Sequence, residues 1–412
     1  MIYPLRYGRG RYRLEIPDHC GVDILKARSG QPLDLDSEIE RNRLPENFFS
    51  GSFRLLIIVN DAFRATPSYE LLDRILPELV DHHEVRIIIA TGLHRQPTQS
   101  EYKSLIGKHY DTIKDQVYWS DSHDRDSFEK LGKWNDGGEV WVHKQFLWAE
   151  NVLIVGSVEP HYFAGFTGGI KAVVPGLAYC KTIEHNHQKA ISMSAQPGKT
   201  EGNPVWKELW STTEFLDLNC IYSYQIVQDS ARKIVALTCG NLIDSYNRAV
   251  EKSREIYIHR LDRQYDLVIA EHSPPLDRNL YQLQKCFENT QAGVRDGGTL
   301  LMLSACEEGI GTEAFYRLAE RYPNPRKLLA EGKIEFKLGI HKLYRTALLT
   351  NRVNLCLMSS LADADVRRIY IEPVMDANTA IESLLSRNRE LSILIVKDAG
   401  HTVIRRAGKT GG

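Results

Sequence analysis

The chain has 412 residues, 42% hydrophobic and 25% charged, with a net charge of −1, which is too long for one ordinary core and implies two domains. So even a charge balance gives no support for a nucleic-acid or anionic-membrane partner. No apolar run approaches the roughly 18 residues of a membrane span, and the start, Met1-Ile-Tyr-Pro-Leu-Arg6, lacks a signal-peptide core, so a cytoplasmic protein is expected.

Residues 1 to 50 are polar and turn-rich, with one alternating stretch (Tyr12, Leu14, Ile16) that fits an edge strand. Leu55-Leu-Ile-Ile-Val59 is a continuous apolar run, the signature of a strand buried on both faces of a parallel sheet. It leads into Asn60-Asp61-Ala-Phe-Arg64-Ala-Thr66-Pro67. Thr66 as N-cap and Pro67 at the first helical position predict a helix to about Val80. A second strand, Val85 to Ala90, ends in Thr91-Gly-Leu-His94-Arg95, and Thr98 with Glu101 forms a capping box for the next helix.

Asn151 to Val155 reads as a third strand. After it, Gly156 to Gly176 packs five glycines and two prolines into 21 residues, with His161, Thr167 and Lys171 among them. Glycine and proline rule out an ordinary helix or strand, and the apolar residues between them argue against disorder. Ligands of an α/β sheet bind beyond the carboxyl ends of its strands, where Asp61, Arg64, His94 and His161 all fall. Each alone has a structural explanation, but four at equivalent positions point to a site. His185-Asn-His187 adds possible metal ligands.

Strands are expected near 221–227 and 234–237. After the charged stretch 251–264 the pattern restarts, with strands near 266–270, 299–303, 353–358, 369–371 and 391–396. Helices fit 278–290, 313–321 and 378–387. On the first of these Gln282 and Lys285 share a face. The fold class is therefore α/β: two domains, 1–258 and 262–412, with mostly parallel sheets and a boundary near 255–265. The last residues could pack back on the first domain. Seven scattered cysteines, never spaced C-x-x-C, exclude the common zinc and thioredoxin signatures, and H-E-x-x-H is absent. Gly408-Lys409-Thr410 resembles the end of a Walker A motif, but Val403 stands where its first glycine belongs. Composition and spacing reach a two-domain enzyme with an anionic ligand and leave the reaction open.

Asn60–Pro67, Ala90–Arg95, the Gly156–Gly176 stretch and Asn279–Lys285 together resemble the nickel-dependent lactate racemase family of 2-hydroxyacid racemases and epimerases. That resemblance covers most of the chain in the same order. It implies a nickel-pincer nucleotide, a pyridinium mononucleotide whose sulfur arms hold nickel. Lys171 matches the lysine that attaches to one arm, and Thr167, Gly168 and Gly169 are expected to lie against the cofactor phosphate. His187, with His185 as fallback, matches the nickel ligand. His94 and His161 match the acid–base pair, Asp61 and Arg64 the residues that support them and the substrate, and Gln282 and Lys285 a pair contributed by the second domain, which implies an active site in the cleft between the domains and a hinge near 255–265. The substrate would be a short 2-hydroxy acid such as lactate or malate, and the partners the enzymes that make the cofactor. Phe63 departs from the family pattern, where a small hydroxylated residue stands, and Ala65 replaces a proline. Two further readings stay open: a non-catalytic protein that binds the nickel nucleotide, and a metal-dependent hydroxyacid lyase or hydrolase.

Overall fold

The computed structural model describes residues 1–49, 51–274, 276–331 and 339–407, so the Gly408-Lys409-Thr410 tail lies outside the described residues. The chain divides into two compact units. One comprises residues 29–190 and 199–256, and the other residues 1–28, 191–198 and 257–412.

The first unit is built on a six-stranded sheet ordered Ile234–Asn241, Ile221–Gln228, Asn151–Ser157, Arg54–Asn60, Glu84–Ala90, Val117–Trp119. Only the pair 221–228 and 234–241 is antiparallel. The run Leu55 to Val59 has no solvent exposure at all, as its unbroken apolar sequence requires of a strand covered on both faces. The helix Ser68–His82 turns Leu71, Leu72, Ile75, Leu76 and Leu79 onto the sheet, an i, i+4, i+8 stripe with its neighbours filled in.

That helix starts at Ser68 after Pro67, and Thr66 is not its cap. The Thr66 hydroxyl instead accepts Asn60 Nδ2 at 2.8 Å and bonds Ser157 Oγ at 2.7 Å, tying two adjacent strand ends together. Thr98 does cap its helix, with both bonds of the box to Glu101 formed.

The second unit carries an all-parallel sheet ordered Glu372–Pro373, Asn354–Met358, Val294–Leu303, Tyr265–Glu271, Ile393–Val396, Val22–Leu25. Its far edge is Val22–Leu25, so residues 1–28 belong here and not with the sheet that follows them in sequence. The hairpin Ile2–Tyr7 with Gly10–Glu15 is the predicted alternating segment, paired on its neighbour and burying Leu5 and Leu14. Strand 403–406 pairs with 258–261 within the same unit. Two local expectations shift. The helix predicted from 278 begins at Gln284, because 279–283 form turns held by Asn279, and the strand placed at 369–371 is two residues, Glu372–Pro373. Both sheets are α/β and mostly parallel. No described helix is long and apolar enough to cross a membrane.

Candidate active site

Three neighbouring strands of the first sheet, 151–157, 54–60 and 84–90, deliver their carboxyl ends side by side. The chain runs outward from 54–60 to 84–90, then returns to place 151–157 on the other side. A topological switch point therefore lies between 54–60 and 151–157, the position at which open α/β sheets bind ligands. Asp61 and Arg64 follow strand 54–60, His94 follows 84–90 and His161 follows 151–157.

Asp61 is buried, and its Oδ2 accepts from His94 Nδ1 at 2.5 Å. A carboxylate acceptor fixes the Nδ1–H tautomer and leaves Nε2 as the bare nitrogen. The His94 turn is held by Gly92 N donating to Gly176 O at 3.0 Å, which couples it to the end of the glycine-rich stretch. His161 is buried too, and its Nδ1 accepts Ala164 N–H at 3.2 Å. A neutral His161 thus carries its proton on Nε2, the opposite tautomer to His94.

Phe163 stands edge-on to His161, centroids 4.5 Å apart, and also to His187, at 5.0 Å. His187 lies on the helix Cys180–Gln188, and its Nδ1 is buried without a close hydrogen-bond partner. Burial, then the charges of Lys171, Arg64 and His94, push its pKa down to about 3. Lys171 is pushed down to about 7 by burial and then by Arg64, with no carboxylate counteracting. The structure thus gathers His94, Arg64, Lys171 and His187 into one electropositive cluster, with His161 reached through Phe163.

The glycines of this loop are required by shape. Gly168 (φ +79°) and Gly169 (φ +57°) occupy left-handed conformations, and a Cβ on either would stand 2.6 Å from Gln225 Oε1 or the Tyr246 ring. Gly169 N donates to Gln225 Oε1 at 3.3 Å. Thr167 is buried, and its hydroxyl is already engaged by Ser157 O at 2.8 Å and Glu159 N at 2.9 Å. It therefore clamps the loop to the strand end.

His185 faces elsewhere. Its Nε2 meets Asp136 at 2.9 Å, and with Glu208 these residues form a group of metal-ligating type. Lys189 Nζ already sits among them, 2.5 Å from both Asp136 Oδ2 and Glu208 Oε1. Burial raises Asp136, but Lys189 and His185 outweigh it and hold the carboxyl low. Sequence reasoning missed Asp136, Lys189 and Glu208, which come from separate elements. It also missed Gln225, a buried amide on the strand 221–228.

Gln282 and Lys285 belong to the other unit. Gln282 N donates to the Asn279 side chain at 3.1 Å, and Lys285 follows at the head of the helix Gln284–Thr290. The Lys285 charge helps to push His272 and Lys342 down, after burial.

Residues 7–198 match the family model described as the lactate racemase N-terminal domain, and 262–404 the lactate racemase C-terminal domain. A lactate racemase of Thermoanaerobacterium thermosaccharolyticum is 27% identical over 97% of this chain and 98% of its own. That of Lactiplantibacillus plantarum is 28% identical over 90% and 89%. The solved lactate racemase apoprotein from Thermoanaerobacterium thermosaccharolyticum superposes with a TM-score of 0.86 at 25% identity, covering 98% of this chain and 100% of that one. A Thermotoga maritima protein at 14% identity, TM-score 0.66, covering 88% of this chain and 95% of its own, shares the fold.

Proposed function

The chain belongs to the lactate racemase family, and from that premise we propose that it interconverts the enantiomers of a small 2-hydroxy acid. The observation that carries the proposal is the pair of histidines beyond the strand ends that flank 54–60 on either side, preset in opposite tautomers, with Arg64 and Lys171 close to one another in the same strand-end cluster. The two enantiomers of a 2-hydroxy acid present their hydroxyls on opposite sides of Cα, so two groups able to exchange protons are needed.

The family's nickel-pincer nucleotide fits the donor set. Lys171 offers a buried amine, Arg64 a guanidinium close to it, and His187 a buried Nδ1 with no close hydrogen-bond partner among the described residues. In this reading Lys171 and His187 hold the group, the lysine by a covalent bond and the histidine at nickel, with Gly168 and Gly169 shaping the loop. When bound, it supplies a reversible acceptor for the hydrogen on Cα.

The chain's own residues do the rest. Arg64 binds and orients the substrate carboxylate by a fork-shaped contact. His94, held by Asp61, takes the hydroxyl proton of one enantiomer on Nε2. His161 offers its Nε2–H to the oxygen on the opposite side, and the roles exchange for the other enantiomer. Gln282 and Lys285 keep, as proposals, the substrate-binding roles that the resemblance implies.

The test is racemization of single enantiomers of a hydroxyacid panel by protein produced with the cofactor-making enzymes. Intact mass is taken beside a Lys171→Ala control. A mass addition absent from the control, with one enantiomer becoming a mixture, is expected. A nickel-loaded protein inert toward the whole panel would sink the racemase reading.

A further inference from the structure

The short turn Ala62–Arg64 carries the proposed chemistry at its two ends, with Asp61 just before it and Arg64 closing it. Between them stands Phe63, 50% exposed. A phenyl left half in water forgoes much of the burial that makes aromatic residues worth having in a fold. Its ring lies 4.7 Å from the His94 ring, tilted by 43°, and the Arg95 guanidinium stands 5.3 Å from its centroid. The backbone fixes this placement: Arg64 N donates to Asp61 O at 3.1 Å, and Ala65 closes the turn at φ +49°. Arg95 does not make the surface beside His94 a cation site, because Glu101 holds its guanidinium through two bonds of 2.7 and 2.8 Å.

We propose that Phe63 selects the substrate, favouring 2-hydroxy acids with a bulky apolar substituent, aromatic or branched, over those bearing a methyl or a second carboxylate. This rests on the racemase reading. A hydroxyl within hydrogen-bond reach of His94 Nε2, with its carboxylate on Arg64, brings the remaining substituent of Cα within a few ångströms of the phenyl ring. An apolar group gains contact there and covers the exposed half of the ring. A carboxylate would lose water, face the negative ring surface and find Arg95 already neutralised.

The experiment compares nickel-loaded wild type, Phe63→Ala and Phe63→Leu on single enantiomers of 2-hydroxy-3-phenylpropanoate, 2-hydroxypropanoate and 2-hydroxybutanedioate. The readout is the ratio of kcat/KM values between acids within each protein. Wild type is expected to favour the phenyl acid by about tenfold or more. Phe63→Ala should cut that ratio about tenfold, mainly through KM, with Phe63→Leu intermediate, as expected for loss of one aromatic contact. A wild-type preference for the methyl or dicarboxylic acid would overturn the proposal. So would an equal fall for all three acids in Phe63→Ala, which would make Phe63 a shield for His94. Wild type that converts none of the three refutes the racemase reading and the proposal with it, an outcome distinct from turnover with the wrong preference.

Discussion

Replacing Lys171 with methionine should stabilise the protein before any cofactor is attached. The amine is held near pKa 7, by burial first and by Arg64 second, whereas in the unfolded chain it returns to about 10.5. Between these values the unfolded state binds more protons, so the lysine costs stability at neutral pH and the cost disappears as the pH rises to 10.5. The linkage integral puts that cost at about 4 kcal/mol at most at pH 7, less whatever screening the partly exposed side chain receives. Lys171→Met removes the penalty while keeping the apolar stem. Thermal melting of the two cofactor-free proteins should show the variant ahead at pH 7, with the gap closing by pH 10. Trace labelling of the amine should show a midpoint about 7, and at pH 8 about nine-tenths of it should be unprotonated. Arg64→Met should move that midpoint up. A Lys171→Met protein that melts below wild type at pH 7, or a labelling midpoint near 10, would refute the reasoning. The neutral amine matters because only that form is a nucleophile.

Asp61→Asn should lower turnover by roughly 10- to 100-fold, since the bond to His94 is charge-assisted and such bonds contribute about 1.5–3 kcal/mol; a fall below threefold in steady-state racemization would remove Asp61 from the mechanism. Burial, the largest cause in each case, depresses His143 and His259 to about 4 and His187 and His272 to about 3. Their contribution to stability is full above pH 6.5 and is lost as the pH falls from there towards 4 and 3, about 2 kcal/mol per histidine by pH 5. Melting temperatures equal at pH 7 and pH 5 would contradict it. Gly168→Ala should destabilise by at least about 1–3 kcal/mol, from a positive φ and a 2.6 Å contact, which denaturant unfolding would detect. Gln225→Leu should leave the fold intact but speed hydrogen exchange at Gly169, whose N–H loses its acceptor; unchanged exchange would exclude that role.

The strands that build the site were legible because each is a run with one period and one fate. Leu55–Val59 can only be a doubly covered strand, and from it follows the placement of Asp61 and Arg64 at a carboxyl end. What pairs with what was not legible. Val22–Leu25 lies beside Ile393–Val396, and no local pattern in either segment specifies a partner so distant in sequence. Side-chain competition was hidden for a related reason. Thr66-Pro67 reads as a helix start, yet Asn60 and Ser157, the latter brought close only by the sheet, claim the hydroxyl first. Thr167 reads as a ligand group and is claimed by Ser157 O and Glu159 N. Local propensity is thus a reliable guide to the elements and a poor one to any hydroxyl that the fold places near two strand ends.

The His185-Asn-His187 triplet shows where elementary geometry does decide. Residues two apart on a helix point about 200° away from each other, so the two imidazoles cannot serve one ion together. One of them must face the sheet loops and the other the opposite side. His187 goes inward, against Phe163 and under the charges of Lys171 and Arg64. His185 goes to Asp136 and Glu208, where Lys189, one turn further on the same face, inserts its ammonium. Asn186 between them is buried, with Nδ2 on Glu208 Oε2 at 2.9 Å, so the helix cannot rotate to exchange the two histidines without stranding a buried amide. The seat beside His185 therefore already holds a cation supplied by the chain, which leaves His187 as the histidine for the proposed metal role.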